Sequence, residues 1–167
     1  MVLGLLSTSL LAIACFIGTV IMGLLMPGRF AVSQHILMGF FATFLVTLAQ
    51  SMTMFYFIGT GKHVKDVVAK DFVSNPALGH AFIQRTKDFK NKVFPSAMWA
   101  MMVTMATMIV GGGVHTRMFP SWIHWGLAII AMFYNCKATW LDAKYMIEHD
   151  LLIREMDQAL QGMPPVA

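Results

Sequence analysis

Four stretches of the chain contain no Asp, Glu, Lys or Arg: Met1–Gly28, Phe30–Gly61, Val93–Thr116 and Met118–Cys136, of 28, 32, 24 and 19 residues. A helix needs about 20 mostly apolar residues to cross a hydrocarbon core of ~30 Å, so each stretch can span a bilayer once. The pattern predicts helices over 3–26, 31–59, 94–115 and 120–142. Two of the breaks, Met26-Pro27-Gly28-Arg29 and Arg117-Met118-Phe119-Pro120, are short turns that fold the spans into two antiparallel hairpins. A membrane β-barrel would instead alternate polar and apolar residues in segments of about 10, and no such segment occurs. The first stretch is as apolar as a secretory leader but has no basic start and too long an apolar part, so it is expected to be retained as a span.

Composition agrees with that reading. Of 167 residues 57% are hydrophobic and only 12% charged, with mean hydropathy +0.67. A soluble domain carries about twice that charge. The formal charge of +4 does not point to nucleic acid, because its placement marks topology. Lys62–Lys92 holds seven basic and three acidic residues, Lys137–Asp157 holds eight charges, and Arg29 and Arg117 stand alone in the short turns. Four crossings put the long loop and both termini on one side, and the Lys/Arg excess makes that side cytoplasmic. The expected fold is all-α: an integral-membrane four-helix bundle forming a single membrane domain, with N- and C-termini cytoplasmic, as in a bacterial inner membrane.

The segments outside the spans are patterned too. In the cytoplasmic loop 60–93, Val64, Val67, Val68 and Phe72 fall at helical spacing, and Ser74-Asn75-Pro76 reads as a turn and a new helix start. Leu78, Phe82 and Ile83 then oppose Arg85, Lys87 and Lys90. Two short amphipathic helices lying on the cytoplasmic surface are expected, their bases facing anionic lipid. The tail 143–167 continues the fourth helix into water, with Met146, Ile147, Ile153, Met156 and Leu160 as an imperfect apolar stripe and Met163-Pro164-Pro165 as its end. The acidic tail and the basic loop are expected to pack together or against a partner subunit.

Three of the six histidines fall at one membrane level. His35 lies one turn inside the second span, His115 ends the third, and His124 lies one turn into the fourth, all near the hairpin-turn side. Below His35 run Gly39, Ala42, Val46, Ala49 and Thr53; below His124 run Ala128, Ala131, Asn135, Ala138 and Asp142; and Gly111, Met108, Thr104 and Met101 lie on the face of His115. Small stripes permit either close helix contact or a flat ligand between helices. Imidazole is the common metal ligand, and ionisable groups facing a bundle interior carry a functional expectation. The sharp expectation is a heme b held by two of His35, His115 and His124 near the periplasmic side, with Gly39 and Gly111 admitting the porphyrin edge. A three-histidine site for zinc or copper fits the same residues, and interfacial hydrogen bonding is the plain alternative. His63, His80 and His149 lie among charges and are expected to be solvated, with His63 within reach of a quinone headgroup.

The remaining chemistry is sparse. Met98, Met101, Met102, Met105 and Met108 recur at helical spacing; thioethers suit copper, but packing is their usual role. Cys15 and Cys136 lie inside spans, and no CxxC or CxxCH occurs. Gln50, Ser51 and Asn135 are polar at membrane depth, where interhelical hydrogen bonds or a proton or quinol path are the options. Trp122, Trp125, Phe119 and Tyr145 suit aromatic belts. No Walker A, GxGxxG, HExxH or GxSxG motif is present, which disfavours stand-alone catalysis. The architecture is similar to that of the four-helix anchor subunits of respiratory complexes, and no residue is carried over from them. The expected function is an integral-membrane subunit of a larger redox or electron-transfer complex, in contact with lipid and other membrane or soluble subunits. A non-catalytic accessory subunit without cofactor and a small copper-binding or metal-transport protein are the alternatives.

Overall fold

In a computed structural model, described for residues 2–25 and 32–162, the chain folds into four helices: α1 (Val2–Leu25), α2 (Val32–Asp71), α3 (Pro76–His115) and α4 (Ser121–Gln161). They neighbour one another in chain order, and α1 closes on α4, giving an up-down-up-down bundle. The expected first turn at Met26-Pro27-Gly28-Arg29 and the terminator Met163-Pro164-Pro165 lie outside the described residues. Three helices, α1, α2 and α3, are long and apolar enough to cross a membrane. The fourth, α4, is less apolar on average because it carries His124, Asn135 and Lys137 in its first half and many charges in its second; its outward residues Trp122, Ile129, Phe133 and Trp140 are as exposed as Leu10, Phe44 and Ile109 on the others.

Each helix turns one stripe inward at spacings of three and four, as its 3.6-residue period requires. The stripe has two regimes. In the apolar half it is made of small residues: Ala12 on α1, Ala42 and Ala49 on α2, Ala97 and Ala100 on α3, Ala128, Ala131 and Ala138 on α4. Lipid tails are as apolar as leucine, so helices there gain by close approach rather than by hiding bulk. In the charged half the same stripes carry Phe57, Phe72, Phe82, Phe89, Met146, Leu152 and Met156. Large apolar groups are the stabilising choice where the alternative is water, at about 1.5–3 kcal/mol for each buried side chain.

One expectation is corrected here. The loop does not form two short helices lying on a surface: α2 runs unbroken through Gly59 and Gly61 to Asp71, and α3 runs from Pro76 through Pro95 to His115. Nothing in the sequence breaks α2 before Ser74-Asn75-Pro76, and the inward stripe continues through Val64. The Asn75 side chain accepts from the Leu78 N–H at 3.3 Å and Pro76 opens the helix, the cap and first position read from the sequence. The tail packs on this hairpin, as expected: Met146, Leu152 and Met156 join Phe72, Phe82 and Phe89 in one core, and Arg85 pairs with Glu155 at 2.8 Å. Ile147, placed in the tail's apolar stripe, faces outward. So α2, α3 and α4 project together beyond α1 as a stalk.

The α3–α4 turn is tight. Thr116, Arg117 and Met118 donate their N–H groups to the carbonyls of Gly112, Val114 and Gly113 at 3.1, 3.0 and 2.8 Å, and Arg117 takes a left-handed backbone with φ 62°. Phe119 folds back over Gly113, where a Cβ would overlap its ring.

Candidate functional site

Opposite the stalk, at the hairpin-turn end of the bundle, a cavity of about 430 Å³ opens between the helices. His35, His115 and His124 all line it, together with Gly39 and Gly111. The second and fourth helices bring two of the three together: the His35 and His124 rings are 6.2 Å apart, centroid to centroid, and nearly perpendicular at 86°. His115 reaches the same cavity from the end of α3 but is exposed at its rim. Among the described residues no group of three or more His, Cys, Asp or Glu converges to hold a metal ion. The three histidines thus form a pair and an outlier, because α3 ends at His115 while α2 and α4 carry their imidazoles one turn further into the bundle.

Glycines set the position of both paired rings. A Cβ on Gly23 would lie 3.0 Å from His35 Cε1, and one on Gly111 would lie 2.9 Å from His124 Cε1. Each imidazole occupies a notch in the neighbouring helix that any larger residue would fill. The expectation for Gly111 changes accordingly, since it makes room for the histidine ring itself. Gly39 has a milder part: a Cβ there would meet Thr19 at an ordinary 3.8 Å, so it marks α1–α2 contact. Gly23 lies on α1, outside the three helices from which the sequence-based site was drawn, and only the fold brings it to His35.

His124 Nδ1 lies 3.1 Å from the Thr107 carbonyl oxygen. A carbonyl only accepts, so this nitrogen carries the proton when the ring is neutral and Nε2 keeps its lone pair. His35 lies against the Thr19 backbone of α1, and its Nδ1 is buried without a hydrogen-bond partner. Apolar side chains, Phe16, Phe40, Trp125 and Ala128 among them, make up most of the wall.

His35 and His124 are the two imidazoles that meet in this cavity. Imidazole nitrogens ligate metals at about 2.0–2.1 Å, and His35 and His124 are the residues that would hold such a group here. A ligating histidine characteristically donates its other N–H to a carbonyl, the part Thr107 plays. Of the five methionines of α3, Met108 lines the cavity, Met98, Met102 and Met105 face outward, and Met101 accepts a weak hydrogen bond from Ser51 at 3.8 Å.

The other three histidines divide. His63 and His80 are exposed, as expected. His149 is fully buried, a correction to the solvated role its charged neighbours suggest. Its ring packs against Tyr56, Phe57 and Phe89 at 5.8, 5.5 and 6.0 Å. Burial, then the nearby Lys90 cation, push its pKa down to about 4, with Asp150 opposing. Tyr145, expected in an aromatic belt, instead packs on Phe89 at 5.6 Å. The signal that could have found His149 is its spacing from Asp142, Leu152 and Met156, which continues the inward face of α4.

The chain matches no protein family, and no characterised protein or solved structure resembles it significantly.

Proposed function

We propose that this protein is an integral-membrane subunit of a redox complex that holds a heme b between α2 and α4 through His35 and His124. The carrying observation is the pair of imidazoles from different helices, 6.2 Å apart in an apolar cavity, each seated in a glycine notch. When bound, heme supplies a one-electron couple whose potential follows ligand identity, hydrogen bonding and burial. The chain's own residues do the rest. Thr107 fixes the His124 tautomer, Gly23 and Gly111 fix both ring positions, and Phe16, Phe40 and Trp125 exclude water. The stalk, with no catalytic motif of its own, is the anchoring surface for other subunits. In this reading α4 makes a fourth crossing, the Lys/Arg-rich stalk is cytoplasmic, and the histidine end faces the periplasm of a bacterial inner membrane.

The test is a reduced-minus-oxidised spectrum and iron analysis of the purified full chain from heme-replete cells. Stoichiometric iron with b-type Soret and α bands is expected. Both bands should be lost in His35→Ala and in His124→Ala and kept in His115→Ala. Absence of iron and of any band rejects the reading.

A second reading has its own support. The His124–Thr107 contact ties α4 to α3, and His35 against Thr19 ties α2 to α1, so both rings serve as interhelical hydrogen bonders with no metal. An accessory subunit of this kind loses stability on His35→Ala with no spectral change.

A further inference from the structure

The most deeply buried acid of the bundle stands apart from the histidine cavity. Asp142 on α4 is fully buried; its carboxyl oxygens make no close hydrogen bond, and the donor that approaches them is the Gln50 side chain. Among the described residues the ion pairs are Arg85–Glu155, Lys144–Glu148 and Arg154–Asp150, so no base is paired with it.

Its surroundings follow from register. His149 packs against Phe57 of α2 and Phe89 of α3. Seven residues along each helix toward the cavity, about 10 Å at 1.5 Å per residue, stand Asp142, Gln50 and Ser96, all buried. The Gln50 side chain lies beside the carboxyl, and Thr53 follows Gln50 by one turn on the same buried stripe. Ser9 of α1 reaches the same level: Leu5, one turn before it, shares a core cluster with Tyr56, and Ala12, one turn after, with Val46 and Ala49.

Hydroxyls at this level differ from most of those elsewhere, Thr86 of the stalk being a further buried hydroxyl without a partner. Thr43, Thr47, Thr60, Thr104 and Thr107 each donate to the carbonyl four residues back, at 2.7–2.9 Å, the usual way a helix satisfies a buried hydroxyl. The hydroxyls of Ser9, Thr53 and Ser96 are buried and make no such bond. Three hydroxyls and a glutamine, drawn from three helices, are therefore free of their own backbone at the level of an unpaired carboxyl.

An ionised carboxylate in that position is costly, and intramembrane acids of this kind typically serve proton or ion movement. Sodium sites in membrane bundles use carbonyls released by unwound helices. Here α1, α2 and α4 run unbroken through this level, and Pro95 of α3 frees a single carbonyl. A proton is the better fit.

We propose that Asp142, with Gln50, Thr53, Ser96 and Ser9 at its level, is a proton-exchanging carboxyl at the inner end of the membrane-embedded bundle, independent of whether the histidine cavity holds a cofactor. The exchange forms one O–H bond at a carboxylate oxygen and breaks one O–H bond of the donor, solvent water entering from the stalk side; nothing is oxidised or reduced. The titratable groups nearest its level are Tyr56 on α2, Lys90 and Lys92 on α3, and Lys137, Lys144, Tyr145 and His149 on α4; α1 carries no Asp, Glu, Lys, Arg, His or Tyr. Lys92 sits over the Tyr145 ring at 5.3 Å, and His149 is neutral near pH 7. Toward the cavity the next polar pair is Asn135 Nδ2, which donates to Thr104 Oγ1 at 2.7 Å.

Infrared difference spectra of the full chain in liposomes, between about pH 5 and about pH 9, decide the matter. A protonated-carboxyl stretch that shifts in D2O and bleaches as pH rises is expected; it should vanish in Asp142→Asn and survive in Asp150→Asn. No such band at any pH overturns the proposal, as does a band that neither bleaches nor shifts in D2O, which marks a locked structural acid. A carboxylate band that moves when sodium replaces choline overturns it in favour of a sodium site. Should Asp142→Asn fail to fold, Gln50→Leu removes a donor to the charged form and should raise the midpoint by about half a pH unit or more; an unmoved midpoint overturns the proposal equally.

Discussion

His149 shows how far a single residue can depart from its sequence neighbourhood. Glu148 and Asp150 flank it, yet the helix turns it among Tyr56, Phe57 and Phe89, where a charged imidazole is disfavoured. Its ordinary value of 6.5 falls to about 4 in the fold. Between those values the unfolded chain binds more protons than the folded one, so stability rises with pH across this window and is lost on acidification. Taking the sample from pH 7 to pH 4 should cost about 3 kcal/mol from this site. Denaturant titrations of wild type and His149→Phe check it: the variant should lack that component. Flanking charges hid the residue in the sequence, since local polarity reports the average over a helix face while burial depends on one direction. Asp142 was hidden in the same way, as the last member of a small-residue stripe whose carboxyl looked like the start of a solvated tail.

At the scale of elements, the four helices were legible because lipid tolerates charge so poorly that its absence marks each apolar segment. Their continuity was not legible. Gly59-Thr60-Gly61 resembled a helix end, and the polarity change beyond it resembled a separate surface element. In the structure these glycines are interior to α2, and two glycines of the stalk mark close approaches. A Cβ on Gly79 would meet Val68 Cγ1 at 2.6 Å and Phe72 Cβ at 3.1 Å, inside the core. At Gly61 the nearest side chain is that of Lys90, whose Cε would lie at 2.7 Å. A branched core residue gives way less easily than the far end of a lysine. Gly79→Ala should therefore lose about 1–3 kcal/mol, while Gly61→Ala should change little; thermal melts of the two variants make the comparison. The histidine level was readable because short turns fix which helix ends meet, whereas the Gly23 notch required knowing how α1 leans on α2.

For the whole molecule the decisive property is a change of solvent along the bundle axis. Alanine-lined contacts serve where lipid surrounds the helices, and aromatic and methionine contacts serve where water does. If α3 crosses once, its two ends lie on opposite sides of a membrane. Single cysteines at His80→Cys and Arg117→Cys, in a chain with Cys15 and Cys136 replaced by Ser, should react with an impermeant thiol reagent from opposite faces of sealed vesicles. Labelling of both from one face would remove the crossing of α3. Exposed ion pairs such as Arg85–Glu155, each side chain about half exposed, add little here; surface pairs are worth roughly 0–1 kcal/mol. The stalk is held by its core.

The shortness of α1 has its own consequence. With 24 residues against 40 in α2, it stops some 24 Å short of the far tip, at 1.5 Å per residue. Val2, Leu5 and Leu6 of α1 still pack on the near end of the stalk core, and beyond them the described residues of the stalk come from α2, α3 and α4. Because α2, α3 and α4 each run unbroken from the stalk into the apolar half, a load placed on the far tip is carried straight along the same three rods that hold the buried groups.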